Sequence, residues 1–298
     1  MTDKRPLIIE VALNGGTPKV RNRNVPRSVA EIVEDGLACL EAGASIVHNH
    51  NDEQVIGGEN GVHAAAPYIE AWRAILAKRP DALLYPTMAS ASPRTNIEER
   101  YAHIPALAEA GVLRLGLIDP GSVNVGPIDS EGLPAAVDST YTNTLRDARH
   151  MFDTCTALQL GPSISCFEPG FVRVASRYAA AGRMPKGALI KFYFGGRFSN
   201  FGLPPTTKAL DAYLEMIEGT GLPWLVAVLG GDCVASGIAR IAIDRGGNVR
   251  VGLEDYAGNR EPGNLQLVRE LVALAKECGR PVATPDEAAA ILGLPRGR

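Results

Sequence analysis

Apolar and polar positions alternate along this chain in two repeating patterns. Short β-branched runs, each bounded by Gly or Pro, are separated by longer segments in which apolar residues recur every three to four positions. The short runs predict eight strands: Leu7–Leu13, Ser45–His50, Ala82–Thr87, Val112–Ile118, Ser163–Glu168, Ala188–Phe194, Trp224–Leu229 and Val249–Glu254. The longer segments predict eight helices: Val29–Ala42, Ala64–Lys78, Ile97–Ala110, Asn143–Leu158, Phe171–Ala181, Thr206–Gly219, Cys233–Arg245 and Leu265–Cys278.

Eight strand–helix units in one chain favour an α/β fold, a (β/α)₈ TIM barrel formed by residues 1–298 as a single catalytic domain. Thr284–Leu292 would form a short C-terminal helical extension. A doubly wound open sheet is the alternative, although it does not ordinarily need eight regular units. Two long connections, Asn51–Val62 and Pro120–Thr142, follow predicted strands and would therefore lie on the catalytic face of a barrel.

Composition narrows the class of protein. The chain has 298 residues, 46% of them hydrophobic, and a net charge of −3, which gives no electrostatic footprint for nucleic acid. Its five cysteines are scattered and odd in number, as expected for reduced thiols. The apolar run Leu7–Leu13 is too short and too polar for a signal peptide or a membrane span. We therefore expect a cytoplasmic protein without membrane or nucleic-acid partners.

Two histidines, His48 and His50, end the second predicted strand. Residues i and i+2 of a strand point to the same face, so both imidazoles would converge on one point. Catalytic zinc sites often combine two histidines with a carboxylate. A hydrogen-bonded histidine pair facing solvent is the alternative interpretation.

Glu254 is the carboxylate that best completes this set. It ends the eighth predicted strand, and strands eight and two both neighbour strand one in a closed barrel. A His48–His50–Glu254 set would leave coordination positions open for water or substrate. Arg250 would share the face of Glu254, deeper in the strand, and would pair with Asp255 only if the chain bends after Glu254.

Glycine-rich turns follow strands six and seven. Free backbone N–H groups at Gly196, Gly230 and Gly231, the last two at the start of a predicted helix, would suit a phosphate group. Glycines that merely turn the chain are an equally good interpretation. Ser122 and Asn124, after strand four, could supply hydroxyl and amide groups to the pocket.

The remaining histidines and the cysteines are weaker candidates. His63 and His103 lie near predicted helix starts and His150 lies within a helix, where capping or surface roles are expected. His63 lies in the long loop after strand two, from which its side chain could reach the site. Cys166 and Cys233 lie nearest the predicted active face, without the histidine partner that a nucleophile needs.

At these positions the chain resembles the β-keto acid cleavage enzymes. The resemblance spans nearly the whole chain and is strongest in three segments: Leu37–His50, Gly121–Gly126 and Gly246–Asp255, the last ending Arg-Val-Gly-Leu-Glu-Asp. It implies a zinc-dependent (β/α)₈ barrel, usually a homotetramer, that condenses a β-keto acid with acetyl-CoA to give acetoacetate and a new acyl-CoA.

The resemblance also implies residue roles. His48, His50 and Glu254 would hold the metal, and Arg250 with Asp255 would match the dyad that deprotonates the acetyl methyl group. Thr87 falls where the family has a serine near the substrate. Gly196, Gly230 and Gly231 are assigned to the coenzyme, and four residues to the substrate: Asn14, Ser122, Asn124 and Ser165.

Several positions depart from the family pattern. Asn51-Asp52-Glu53 replaces an Arg-Asp pair, Tyr256 replaces an asparagine, and Ser163 and Ser165 replace two glutamates. Thr17 aligns with the acidic residue that the amino-substrate member carries. Because carboxylates that could hold an ammonium are missing, we expect a neutral or differently charged β-keto acid. A metal-dependent lyase or aldolase that needs no CoA, and a ligand-binding barrel without catalysis, remain alternatives.

Overall fold

The computed structural model describes residues 5–51, 64–89 and 95–295 and confirms the (β/α)₈ barrel. The strands are β1 (Ile9–Ala12), β2 (Ile46–His48), β3 (Leu83–Tyr85), β4 (Leu115–Ile118), β5 (Val123–Asn124), β6 (Thr140–Tyr141), β7 (Gly161–Cys166), β8 (Leu189–Gly195), β9 (Trp224–Leu229) and β10 (Asn248–Val251). Eight of them form one parallel sheet in the order β3-β2-β1-β10-β9-β8-β7-β4. The two end strands, β3 and β4, pack against each other and bring the barrel close to closure.

The helices follow the predicted positions. They are α1 (Val29–Ala42), α2 (Ala66–Lys78), α3 (Ile97–Arg100), α4 (His103–Glu109), α5 (Leu145–Leu158), α6 (Pro169–Ala180), α7 (Thr207–Met216), α8 (Ile238–Asp244), α9 (Asn264–Glu277) and α10 (Pro285–Leu292). Helix α1 shows why the pattern predicts them well. Ser28 caps its first turn through a reciprocal bond with Glu31, and Gly43 ends it in the left-handed conformation. Helix α10 is the predicted C-terminal extension.

Many predicted boundaries differ from the observed ones by one to three residues, and three departures change the local structure. Strand β10 stops at Val251 because Gly252 adopts a φ of 144°, which turns the chain. Helix α8 begins at Ile238 rather than Cys233, since the Asp232 carboxylate accepts hydrogen bonds from the Val234 and Ala235 amides and holds a turn there. The predicted helix Ile97–Ala110 is divided into α3 and α4.

The connection after β4 also has structure that the pattern did not predict. Strands β5 and β6 pair as a small antiparallel hairpin beside the barrel mouth. The other long connection lies outside the described residues, except for Asn51. In the part of the chain that is described, no helix has the length and apolar character needed to cross a membrane.

Candidate active site

The two histidines lie at the carboxyl end of β2, where the strands open into the barrel mouth. Both side chains are buried, and both direct Nε2 toward the carboxylate of Glu254. His48 Nε2 lies 3.1 Å from one carboxylate oxygen, and His50 Nε2 lies 3.5 Å from the other. The convergence predicted from the spacing of the two residues and from barrel topology is therefore present.

Glu254 reaches this point from a turn and not, as predicted, from a strand. The turn begins at Gly252, where any Cβ would overlap the carbonyl oxygen of Ala12 on β1. Gly15 makes room from the other side, because a Cβ there would meet the Glu254 side chain. Two glycines thus allow the turn to approach β1 closely and place the carboxylate beside the histidines.

The donor atoms of this cluster suit a metal cation. His48 Nδ1 lies 3.2 Å from the Tyr85 carbonyl oxygen, an arrangement that puts the proton on Nδ1 and leaves Nε2 as a lone-pair donor. Burial lowers the pKa of His48 to about 4, against the opposing effect of Glu254, so the ring is neutral at pH 7. His50 Nε2 and Glu254 Oε2 are buried without a hydrogen-bond partner among the described residues.

These three residues each offer a ligand atom, and the atoms lie within 4.8 Å of one another. Buried polar atoms without partners are costly, and a cation bound at the point where they converge would satisfy them. Two imidazoles and one carboxylate form a donor set that leaves positions open for exchange, as in catalytic metal sites. The residues present therefore fit a divalent metal ion.

Asn14, two residues beyond the end of β1, fixes the backbone of His50. Its Oδ1 accepts hydrogen bonds from the His50 and Gly15 amides, and its Nδ2 donates to the His50 and Pro26 carbonyls. All of these contacts are internal to the protein. The predicted role of Asn14 in contacting substrate stays a prediction, and the structure gives it a positioning role.

Arg250 and Asp255 form a bidentate ion pair directly behind the histidine–glutamate cluster. Arg250 Nε and Nη2 lie 2.7 and 2.9 Å from the two Asp255 oxygens. The same guanidinium lies 3.0 Å from Glu254. The bend that this pairing requires is present, but it starts at Gly252, earlier than expected. Burial raises the pKa of Asp255 above its ordinary value, although Arg250 acts in the opposite direction.

A buried charged layer beneath this pair was missed by the sequence analysis. Glu10 on β1 accepts from Tyr85 at 2.6 Å, and its Oε1 also lies 3.0 Å from Lys191 Nζ and 3.0 Å from Arg250 Nη1. Burial opposes ionisation of Glu10, but Lys191, Arg250 and Tyr85 together lower its pKa to about 2. The sequence does contain a sign of this layer, because a glutamate and a lysine interrupt two otherwise apolar predicted strands.

Two adjoining cavities open onto the cluster. The larger, about 620 Å³, is lined by His50, Glu254, Thr87 and Asp119 and by aromatic and hairpin residues. The smaller, about 180 Å³, is lined by Asp255, Gly230, Tyr256 and Arg21. Both cavities share Glu254 and three further wall residues: Gly126, Phe201 and Leu229. Two molecules could thus meet at one carboxylate.

Comparison with known proteins decides the family. The sequence model of the family described as beta-keto acid cleavage enzyme matches residues 6–294. The chain belongs to the β-keto acid cleavage enzyme family. A 3-keto-5-aminohexanoate cleavage enzyme of Fusobacterium nucleatum subsp. nucleatum is 31% identical over 293 residues, which cover 97% of this chain and 98% of that protein.

A second relative and a solved structure extend the comparison. A 3-oxoadipate:acetyl-CoA acetyltransferase of Cupriavidus necator is 29% identical, with 98% of this chain and 96% of the relative covered. The structure of a binary complex of ObcA with oxaloacetate has a TM-score of 0.63 at 14% identity, covering 92% of this chain and 68% of the other. This last likeness supports the barrel fold alone.

The positions at which this β-keto acid cleavage enzyme departs from the family pattern are mostly buried. The Thr17 hydroxyl donates to the Leu253 carbonyl at 2.9 Å, inside the protein. Ser163 and Ser165 are buried on β7, and Ser165 contributes a hydrogen bond to Asp119. Asn51 bonds Tyr68 and Ala64, whereas residues 52 and 53 lie outside the described part of the chain.

The glycine turns after β8 and β9 do not have the free backbone amides that were expected. Gly196 N–H donates to the Leu229 carbonyl, and the Gly230 and Gly231 amides both donate to the Asp255 carbonyl. The expectation of free N–H donors there is wrong, as is the helix start at this turn. Gly230 does line the smaller cavity, so its predicted contact with the coenzyme stays a prediction.

Two residues that were assigned to the substrate form hydrogen bonds with nearby parts of the chain. The Ser122 hydroxyl exchanges hydrogen bonds with the backbone of Asn143, and Asn124 accepts one from Thr140 within the hairpin. Neither lines the larger cavity, whereas Thr87 does. Their contacts with substrate stay predictions.

The other histidines lie apart from the cluster, as far as they are described. His103 is buried, with Nε2 2.9 Å from the Thr87 carbonyl oxygen, so the expected surface role is wrong. His150 is half-buried and its ring packs edge-on against Tyr101. His63 lies outside the described residues.

Proposed function

We propose that this protein is a zinc-dependent β-keto acid cleavage enzyme that uses acetyl-CoA. The observation that carries the proposal is the position of the His48–His50–Glu254 cluster. It lies beside the Arg250–Asp255 pair, at the junction of two cavities. The reaction requires two reactants to meet at one metal and one base, and this arrangement provides the space and the groups for both.

The net reaction exchanges acyl groups. A β-keto acid R–CO–CH₂–COO⁻ and acetyl-CoA would give R–CO–S-CoA and acetoacetate. One carbon–carbon bond forms between C2 of the keto acid and the carbonyl carbon of the acetyl group, and the bond between C2 and the keto carbon breaks. The coenzyme's sulfur leaves the acetyl carbonyl carbon and becomes bonded to the former keto carbon in the new thioester. We assign the larger cavity to the keto acid and the smaller one to the acetyl end of the coenzyme.

A metal held by His48, His50 and Glu254 would supply Lewis-acid polarisation of the substrate's keto oxygen. Zinc suits this donor set, although iron, cobalt or manganese would also be accepted by it.

Asp255 is assigned as the base. Asp255 lines the smaller cavity together with Glu254 and takes a proton from C2 of the keto acid. The resemblance implies the acetyl methyl group instead, but a nucleophile formed there would not lead to acetoacetate and the new acyl-CoA. Arg250 holds both oxygens of that carboxylate and stays charged, so it orients the base and stabilises the negative charge that develops on the keto acid. Thr87, on the wall of the larger cavity, is assigned to contact the keto acid.

The coenzyme's remaining contacts follow from the same arrangement. Gly230 and its neighbours Gly231 and Gly196 are assigned to the path of the coenzyme, where the missing side chains allow close approach of the backbone. A homotetramer in the cytoplasm stays a prediction.

The test is product detection. Zinc-loaded protein is incubated with acetyl-CoA and a panel of β-keto acids, and both the new acyl-CoA and acetoacetate are measured by mass spectrometry. We expect equal amounts of the two products, and a loss of both in Asp255→Asn. Absence of any CoA product with metal bound would contradict the proposal. A lack of acetyl-CoA affinity by calorimetry would instead favour a lyase or aldolase that needs no CoA.

A further inference from the structure

Lys191 is a buried lysine of β8 to which the proposed reaction assigns no role. Its side chain is only 1% exposed, and it is not among the described residues that line either cavity. Its Nζ lies 3.0 Å from Glu10 Oε1 and 2.5 Å from the Tyr85 hydroxyl oxygen. A charge buried this deeply is costly unless a counter-charge offsets it, and Glu10 supplies that counter-charge.

Arg250, which lies beside this pair, is contacted by three carboxylates at once. Its Nη1 lies 3.0 Å from Glu10 and its Nη2 lies 3.0 Å from Glu254. Its Nε and Nη2 also hold the two oxygens of Asp255. One guanidinium carries a single positive charge and cannot compensate three negative ones. The position of Arg250 therefore depends on which other groups neutralise each carboxylate.

The surrounding groups divide this demand. Burial opposes ionisation of Glu10, but Lys191, acting more strongly than Arg250, lowers the pKa of Glu10 to about 2. Glu254 also faces the two histidines and the position proposed for the metal. Asp255 is the carboxylate that depends on Arg250, which is its only cationic side-chain partner in the described part of the chain. Each of the three carboxylates thus has a partner of its own.

We propose that Lys191 is a positioning residue for the base: by compensating the charge of Glu10, it keeps both hydrogen bonds of Arg250 on Asp255. This inference rests on the proposed function, in which Asp255 removes the proton. Without the lysine, Glu10 would keep a buried negative charge with Arg250 as its remaining cationic partner. Arg250 would then be drawn toward Glu10 and away from Asp255.

The experiment compares Lys191→Gln with the double variant Glu10→Gln/Lys191→Gln. The single variant leaves a buried carboxylate without its lysine, whereas the double variant removes both charges and keeps two amides that can bond Tyr85 and Arg250. We expect kcat per folded molecule to fall about 30-fold in zinc-loaded Lys191→Gln, because a small displacement of the base is costly. KM for both reactants should change less than about threefold, since Lys191 touches neither.

The double variant should regain activity. We expect its kcat to lie within about threefold of the wild type, because removing both charges returns Arg250 to Asp255. Zinc content should equal that of the wild type in both variants. A role limited to stability would not restore kcat in this way. Should Lys191→Gln not fold, Lys191→Met removes the same charge with a side chain of similar length.

Two measurements without acetyl-CoA report on the base directly. The first is enzyme-catalysed exchange of the C2 protons of acetoacetate, the simplest β-keto acid of the proposed reaction, with deuterated solvent. This exchange should slow in Lys191→Gln and recover in the double variant. The second is crystallography, which should show one of the two Arg250–Asp255 hydrogen bonds lost in the single variant and both present in the double variant.

Arg280→Gln is the matched control. Arg280 is also a buried cation, but it lies at the opposite end of the barrel, where its Nε donates to the Arg5 carbonyl before β1. We expect this variant to lose stability in denaturant titration while kcat per folded molecule stays at the wild-type value. An equal fall of kcat in Arg280→Gln and Lys191→Gln would show that lost stability slows the enzyme, and would overturn the proposal.

The outcomes separate the two proposals. Slower C2 exchange in Lys191→Gln that recovers in the double variant, without acyl-CoA formation by any of the proteins, supports the positioning role and counts against the proposed reaction. Acyl-CoA formation at a kcat that Lys191→Gln leaves unchanged overturns the positioning role and leaves the proposed reaction standing. A double variant no faster than Lys191→Gln also overturns the positioning role.

Discussion

The charged layer inside the barrel and the wall of the larger cavity differ in how their polar atoms are bonded. In the inner layer, Lys191, Arg250 and Tyr85 each contact Glu10 within 3.0 Å, and Glu10 Oε2 is the exception without a partner. On the wall, His50 Nε2 and Glu254 Oε2 lack hydrogen-bond partners among the described residues.

This difference distinguishes polar groups that support the structure from polar groups that can bind a ligand. Charges that satisfy one another fix the geometry of neighbouring groups and add rigidity, but they leave little for a ligand to bind. Atoms held in place without hydrogen-bond partners are ready to bind a ligand. Burying them unpaired costs free energy, which the rest of the fold must offset. We therefore expect substitutions in the inner layer to reduce stability first, and substitutions on the wall to reduce binding and rate first.

The largest effect should follow removal of a metal ligand. His50→Gln deletes one of three donors, so we expect loss of bound metal and a fall in acyl-CoA formation of at least about 10³-fold. Metal content by plasma mass spectrometry and the rate of product formation check this. His150→Gln, which changes a histidine outside the cluster, should keep both. Full metal content in His50→Gln would count against the ligand set.

A change at the base should separate metal from chemistry. Asp255→Asn keeps a side chain of the same shape beside Arg250 but removes the proton acceptor. We expect the rate to fall about 10²- to 10³-fold while metal content is unchanged. Enzyme-catalysed exchange of the keto acid's C2 protons with deuterated solvent, measured by NMR above the uncatalysed rate, should slow in parallel. Unchanged exchange in this variant would mean that another group removes the proton.

The inner layer should respond in stability. Glu10→Gln leaves Lys191 and Arg250 without a full counter-charge in a buried site, so we expect the free energy of unfolding to fall by about 3 kcal/mol. Denaturant titration measures it. Glu277→Gln is the matched control, because it removes an ion pair with Arg240 in which both side chains are exposed, so it should change the stability little. Equal losses in the two variants would show that the inner layer has no special role.

A smaller, pH-dependent effect should come from His103. Burial lowers its pKa to about 4, below the unfolded value near 6.5, so the unfolded chain binds more protons between these two values. The contribution of His103 to the free energy of unfolding is fully present above pH 6.5 and is lost as the pH falls toward 4. This loss amounts to at most about 3 kcal/mol.

The measurement compares wild type with His103→Gln across that window. The difference in the free energy of unfolding between the two proteins should shrink as the pH falls from 7 to 4. Comparing the two curves removes contributions from other groups that titrate over the same range, such as Asp35, whose pKa burial raises to about 6. Parallel curves would contradict the assignment.

The sequence predicted those parts of the molecule that depend on periodicity and topology. Helix α1 has the bounds its apolar stripe and caps predict, and β9 begins and ends where expected. His48, His50 and Glu254 converge because parallel strands bring their carboxyl ends together.

The features that were missed depend on turns and on side-chain packing. No pattern of apolar residues shows that Gly252 ends β10 three residues early, because that turn is set by the close approach to β1. The hydrogen bond between Tyr141 and Asp119 could not be predicted, because Tyr141 lies on a hairpin that the pattern did not predict. Glu10 and Lys191 become informative only when the barrel brings their strands around a common interior.

The turn at Gly252 links the metal ligand and the base more firmly than their neighbouring numbers suggest. Glu254 and Asp255 follow the same constrained glycine, so any side chain introduced there would move both carboxylates at once. Engineers who wish to redirect this enzyme toward another keto acid should therefore keep residues 252–255 intact. The substitutions to vary are those around Asp119 and Phe167, which line the larger cavity from other strands.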